Sequence, residues 1–412
     1  MKVAVVTLGC RANHSESDVI QESLEEAGVT IVSLKDKPDY CIVNTCSVTH
    51  KGDIDSRQMI GRAARAGAKV IVTGCYTQLN RKAAESLPGV VSLVDIGRKY
   101  DIIRMIAGAD AEPCHHVSGR SRPYVKVQDG CDFNCSYCTV CIARGRSRSL
   151  PDTLIIERVA ALSDSGYKEV VLTGINLGLY GRDLPQRDSI AGLIRKLLSG
   201  TSIRRIRLSS LDICGIDDEL IDVISDPRIC RNLHIPLQSG SNKVLGLMRR
   251  RYRMELVSSR FRAITSRFSD IAIGTDLIVG FPGEGSSEFQ DTVDLIRAWP
   301  FAYLHVFPYS PRPNTDAFVL AGAACSSEVR RRADTLLELG REKKADYMTS
   351  QIGKILEIIM EKGLRDGMSV GTSSNYLKIS VPQGGHRPGS VAVVRVAGIR
   401  SGRLEGVVIK DP

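Results

Sequence analysis

Three short runs of almost unbroken apolar character open the chain: KVAVVTL (2–8), YCIVNTC (40–46) and KVIVTGC (69–75). Between them, 9–28 and 56–67 carry apolar residues at helical spacing, the first behind Ser/Glu capping signals. Strands alternating with helices predict a parallel α/β layer. Each run stops at or just before a cysteine: Cys10, Cys46 and Cys75. Parallel strands present their carboxyl ends to one crevice, so three cysteines far apart in sequence are expected to converge there.

Residues 111–122 are polar and broken, which reads as a linker. From Tyr124 a second strand–helix series begins, with strands near YVKVQ, EVVLTGI, RIRLSSL, NLHIPLQ, IAIGTDLIVGF and AYLHVFPYS. Six such units suit a partial (β/α) barrel, with its site at the carboxyl ends of the strands. A charged helix over 326–348 follows. From about Ile352 the pattern changes to short alternating runs, KILEIIMEKG, NYLKISVP, SVAVVRVAG and RLEGVVI, separated by Gly/Pro turns. That predicts a small antiparallel β-barrel. The expected divisions are 1–112, 120–348 and 350–412, within the α/β class.

Composition narrows the partners. The 412 residues are 43% hydrophobic and 25% charged, with 56 Lys+Arg against 46 Asp+Glu, a net charge of +10. The excess suits a polyanion. No run approaches the ~20 apolar residues of a membrane span, and the opening apolar run is too short for a secretory signal. A cytoplasmic protein with no membrane partner is expected. Disulfides are rare in that compartment, so the 12 cysteines call for metal, catalysis or burial.

The densest group is GCDFNCSYCTVC (130–141), in which Cys131, Cys135 and Cys138 have the spacing C-x3-C-x2-C. Zinc sites usually close with four ligands in paired C-x2-C units. Three thiolates on a cubane cluster leave one iron open for a substrate or cofactor. Cys141 as a fourth ligand would close that iron and is read as a bystander. Cys41, Cys114, Cys214, Cys230 and Cys325 have no cluster spacing and are read as structural.

The C-x3-C-x-aromatic-C run, behind a strand that opens a partial barrel, resembles the radical S-adenosylmethionine (SAM) enzymes. In that family, SAM chelates the open iron and the reduced cluster cleaves it to a 5′-deoxyadenosyl radical. TLGC, NTC and TGC resemble the amino-terminal domain of the methylthiotransferases, which implies a second 4Fe–4S cluster on Cys10, Cys46 and Cys75. TLGCRANHSES, LTGINLGLYGRDL, RLSSLD, HIPLQSGS, MRRRY and HVFPYSPRPNTDA are similar to the MtaB-type branch, and the final segment resembles an RNA-binding TRAM domain.

The resemblance implies methylthiolation of N6-threonylcarbamoyladenosine beside the tRNA anticodon, with two 4Fe–4S clusters, SAM, a reducing electron donor and a sulfur source, and no DNA partner. Isopentenyladenosine in tRNA or a ribosomal-protein aspartate is the alternative target. A non-catalytic iron–sulfur RNA-binding or redox-sensing protein is the reading from another class. Asp55, His14, Ile213 and Cys141 depart from the usual lysine, amide, proline and proline.

Tyr137, Gly174, Asn176, Ser210, Asp212, Gln238, Gly280 and Glu284 are the expected SAM contacts: an aromatic, a glycine that allows close approach, and polar strand-end groups. Arg144, Arg146, Arg148, Arg249, Arg250 and Arg251 are the expected RNA contacts, since guanidinium suits phosphate. Lys354, Lys378, Arg387 and Arg395 on the last strands add charge. Phosphate contacts of this kind make affinity salt-sensitive.

Overall fold

The computed structural model describes residues 1–108, 111, 113, 119–322, 324–365 and 367–410. Cys114 and the expected boundary at 112 lie outside them.

The amino-terminal layer is a five-stranded parallel sheet. It is built from β1 (Lys2–Thr7), α1 (Arg11–Glu26), β2 (Thr30–Ile31), β3 (Tyr40–Thr45), α2 (His50–Arg65), β4 (Lys69–Gly74), α3 (Cys75–Leu79), α4 (Arg81–Glu85), β5 (Val90–Val94) and α5 (Asp101–Ala107). The order is β2-β1-β3-β4-β5. The sequence pattern missed both edge strands: β2 is two residues long, and β5 is only partly buried, with Val94 its one buried residue. On α1, Ala12, Val19, Ile20 and Leu24 are buried, the recurrence that an amphipathic helix over a sheet requires. Glu16 lies on the same buried face.

The central unit contains β6 (Tyr124–Lys126), β7 (Gln128–Asp129), α6 (Val140–Arg144), β8 (Arg148–Ser149), α7 (Asp152–Asp164), β9 (Glu169–Thr173), α8 (Ile190–Gly200), β10 (Arg205–Leu208), α9 (Asp218–Ile224), β11 (Asn232–His234), α10 (Asn242–Leu247), α11 (Met254–Arg267), β12 (Ala272–Val279), α12 (Ser286–Ala298), β13 (Phe301–Pro308) and α13 (Ser326–Thr349). Strands β10-β9-β6 and β11-β12-β13 form two parallel sheets. Parallel bridges Ile206–Ile229 and Ser210–His234 join them, which yields the expected six-stranded partial barrel. Its helix-facing side chains make up the largest core, including Val170, Ile206, Leu277 and Phe301. The antiparallel pair β7–β8 pinches off the cysteine loop between them.

Strands β14 (Ile355–Arg365), β15 (Met368–Ser373), β16 (Lys378–Val381), β17 (Val391–Arg400) and β18 (Arg403–Lys410) close into a barrel in the order β14-β15-β16-β18-β17. The β16–β18 pairing is parallel, and the other pairings are antiparallel. Strand β15 (MSVGTS) escaped the sequence pattern because its small polar residues do not alternate, although they are buried in the closed barrel.

Buried charges tie this barrel to the central unit. Arg207 pairs with Glu169 at 2.7 Å and donates to the Ser373 carbonyl at 2.8 Å, while Arg205 meets the other Glu169 oxygen at 2.6 Å. Burial alone would raise the Glu169 carboxyl, but the arginines bring it down to about 2. Among the described residues, no helix is long and apolar enough to cross a membrane.

Candidate active site

The cysteine loop arches over the carboxyl ends of the barrel strands. Each of its three cysteine sulfurs has a donor. The amides of Phe133 and Val140 reach Cys131 and Cys138 at 3.4 Å, and Arg250 Nη1 reaches Cys135 at 3.5 Å. Burial pushes the Cys131 thiol up to about 11 and Cys138 up to about 12. Iron binding must therefore displace their protons, and the surrounding N–H groups favour the resulting thiolates. Cys141 turns away: its thiol donates to the Cys138 carbonyl, just ahead of α6, at 3.6 Å.

Beneath the loop is a cavity lined by the three cysteines, Tyr137, Asn176, Ser210, Asp212, Gln238 and Arg250. Five of the eight expected SAM residues thus come together. Gly174 does not line the cavity. A methyl group there would lie 2.9 Å from Gln128 Oε1, so the glycine makes room for a protein side chain. Gly280 and Glu284 also lie elsewhere. The Glu284 carboxylate accepts from the Gly280 amide at 2.6 Å and pairs with Arg332 at 2.8 Å, which seats α13 on the barrel end.

Gln128 was not anticipated. Fully buried, it accepts from the amides of Ile175 and Asn176 and donates to the Gly130 carbonyl and Ser147 Oγ. It locks the cysteine loop to the loop after β9. A polar residue ending an apolar strand was the available sequence signal.

Cys10, Cys46 and Cys75 also converge, at the carboxyl edge of the amino-terminal sheet, where each lies close enough to act electrostatically on the others. Burial pushes Cys46 up to about 11 and also raises Cys75. A tetrahedral zinc site would hold its thiolates about 3.8 Å apart. Among the described residues, the group with three potential ligand atoms within 4.8 Å of one another is instead His234, Asp276 and His305.

Two buried contacts hold the cysteine groups together. Arg144, directly after the loop, reaches Glu16 at 2.9 Å and Asp129 at 2.7 Å, and also meets Asn13. Lys99 and Lys126 complete the network around Glu16. On the other side, Arg312 joins Asp53 at 2.6 Å and Ser47 at 3.0 Å, while Thr139 donates to the Ser47 carbonyl at 3.4 Å.

Residues 2–95 match the model of Uncharacterized protein family UPF0004, and residues 125–296 match the Radical SAM superfamily. The threonylcarbamoyladenosine tRNA methylthiotransferases MtaB of Bacillus subtilis and Thermotoga maritima are each 35% identical to the chain. The first alignment covers 92% of this chain and 89% of the relative, the second 98% and 96%. The chain belongs to the radical SAM methylthiotransferase family.

The tRNA-2-methylthio-N(6)-dimethylallyladenosine synthase of Fervidobacterium nodosum is 29% identical to this methylthiotransferase, over 100% and 99% of the two chains. Among solved structures, the radical SAM methyltransferase TsrM of Kitasatospora setae superposes with TM-score 0.58 at 16% identity, covering 77% of each chain. That likeness concerns the fold.

As a radical SAM enzyme, the methylthiotransferase uses SAM and a 4Fe–4S cluster. The cavity suits them, with three donor-supported sulfurs beside polar strand-end groups. Two of the arginines expected at RNA are committed inside the protein instead. The Arg144 side chain is fully buried among carboxylates. Arg250 is buried against Asp212, Cys135 and the Tyr252 ring. Arg146, Arg148, Arg249 and Arg251 remain exposed, with Arg251 lying over the Phe133 ring of the cysteine loop at 4.5 Å.

Proposed function

We propose that the enzyme converts N6-threonylcarbamoyladenosine next to the tRNA anticodon to its 2-methylthio derivative, in the cytoplasm, with an external electron donor and sulfur source. The carrying observation is that two cysteine trios from separate units are held together by buried contacts. In this reading Cys131, Cys135 and Cys138 ligate the radical SAM cluster, and Cys10, Cys46 and Cys75 ligate an auxiliary one. Residues 1–112 carry the auxiliary cluster, 120–348 the radical chemistry, and 350–412 a tRNA contact. When bound, the reduced cluster and SAM supply a 5′-deoxyadenosyl radical.

The protein's own part is positional. Arg250 and Asp212 orient SAM's polar end, Asn176, Ser210 and Gln238 add hydrogen bonds, and Tyr137 flanks the adenine. Arg146, Arg148, Arg249 and Arg251 meet phosphate. The near-full-length MtaB relatives support the threonylcarbamoyl substrate, and the dimethylallyladenosine relative keeps the isopentenyl reading as the alternative.

Mass spectrometry of tRNA nucleosides from cells lacking the gene tests the assignment. Loss of 2-methylthio-threonylcarbamoyladenosine, with its precursor accumulating, is expected. Wild type should restore it, and neither Cys10→Ala nor Cys135→Ala should. An unchanged nucleoside would refute the substrate.

A further inference from the structure

The tight group His234, Asp276 and His305 lies outside the SAM cavity and has no part in the scheme above. Its residues come from three neighbouring strands. His234 Nε2 and His305 Nδ1 each stand 3.0 Å from the same Asp276 oxygen. An ionised carboxylate only accepts hydrogen bonds, so both imidazoles donate to it. His234 Nδ1 is then left to accept from Tyr303 Oη at 3.2 Å. His305 keeps its Nε2 lone pair uncommitted among the described residues, on a side chain that is 55% exposed.

The group faces the barrel interior. Its strand neighbours Leu277 and Val279 point to the helix-side core, so Asp276 and Ile278 point inward. Ile278 packs in the same apolar group as Tyr137 of the cysteine loop. Asp276 is therefore one inward position, roughly 7 Å along the strand, from Ile278. On β13 the inward row is Tyr303, His305 and Phe307, paired in register with Gly274, Asp276 and Ile278. Gly274 is required there: a methyl group would lie 2.0 Å from the Tyr303 ring. Tyr303 stacks on His234 at 5.7 Å and 10° between planes, and it also neighbours His305 at 5.3 Å and Tyr376 at 6.2 Å. Tyr376 in turn accepts from Arg11, the residue after Cys10. The row thus runs from beside the cysteine loop to beside the first cysteine of the amino-terminal trio.

We propose that this inward aromatic row is the seat of the target base, with Phe307 stacking on an unpaired purine and the His305 ring, set 6.4 Å away and at 73° to Phe307, presenting Nε2 to accept from its exocyclic N–H. Flat side chains with one fixed acceptor suit a splayed-out nucleobase. The proposal rests on the tRNA reading above and names the site that serves it. Asp276 is a positioning residue, because it fixes the tautomer of His305.

The test uses reconstituted full-length enzyme and an anticodon stem-loop with 2-aminopurine in place of the target adenine; its amino group sits on C2 rather than C6, so it reports the stack alone. Stacking quenches this probe. Wild type should quench it on binding. Phe307→Ala should abolish the quench, with base affinity about ten-fold weaker, the order expected for losing one stack, whereas His305→Ala should keep the quench and lose discrimination between adenine and an analogue lacking the exocyclic N–H. Asp276→Asn should retain the stack but weaken discrimination between adenine and an analogue lacking the exocyclic N–H. Iron content and SAM cleavage without RNA check that each variant is folded.

No quench by wild type, a quench retained in Phe307→Ala, unchanged discrimination in His305→Ala, or a stoichiometric non-iron metal lost with His305→Ala would each overturn the proposal. Methylthiolation of the threonylcarbamoyl stem-loop is assayed separately. Its absence, with the quench pattern intact, refutes the substrate reading and leaves the base site standing.

Discussion

Glu16→Gln probes the joint between the two cysteine groups. Glu16 is 2% exposed and shares its carboxylate among Lys99, Lys126 and Arg144. Burial alone would raise its pKa, but the three cations hold it well below the usual range. The amide keeps the shape and removes the charge, leaving Asp129 as the local anion. Breaking a buried pair costs about 3–5 kcal/mol, which predicts a Tm roughly 4–6 °C lower at ~1.2 °C per kcal/mol for a chain of this length.

Lys99 limits the damage. Burial already lowers its pKa, so it can shed its proton once Glu16 is neutral. Glu16→Gln/Lys99→Met should therefore be more stable than Glu16→Gln alone, a coupling that a double-mutant cycle measures. Anaerobic scanning calorimetry reads stability, and parallel assays read SAM cleavage and methylthiolation. Because the network spans the joint, methylthiolation should fall further than SAM cleavage. A Tm within about 2 °C of wild type at neutral pH, or no recovery in the double variant, would refute the reasoning.

The other predictions concern the clusters, the SAM cavity and the buried strand charges. Cys10→Ala should lose about half of the reconstituted iron while Cys141→Ala loses none, as iron and sulfide analysis would show, because a cubane needs its three thiolates and the Cys141 thiol donates to the Cys138 carbonyl. Arg250→Lys should reduce 5′-deoxyadenosine formation by about 100-fold or more, since a lysine cannot reproduce the forked contact to Asp212 and Cys135; activity within about two-fold would exclude that role. Glu169 has its pKa depressed to about 2, so its stabilisation, of the order of 3 kcal/mol, is present above the ordinary carboxylate range and lost as pH falls toward 2. Acid titration followed by circular dichroism should show a shallower slope between pH 4 and 2 in Glu169→Gln than in wild type.

Much of the molecule was legible in one dimension. Apolar runs of strand length and helical spacings report directly which faces are buried, so both strand–helix series and the final barrel emerged from periodicity. The spacing of Cys131, Cys135 and Cys138 is itself local geometry, because one loop presents all three. The strands leading to Cys10, Cys46 and Cys75 also determined their convergence, since parallel strands end on one edge.

Tertiary structure decided what each charge and polar group faces. A run of arginines reads the same whether it meets water or a buried carboxylate. Only packing separated Arg144 and Arg250, committed inside, from Arg146, Arg148, Arg249 and Arg251 outside. Glu16 left a faint mark, a charge on the apolar face of α1, but its three cationic partners lie 83 to 128 residues away. His234, Asp276 and His305 come from three different strands and meet only through strand register. Periodicity assigns a residue to a face; the fold assigns that face its neighbours.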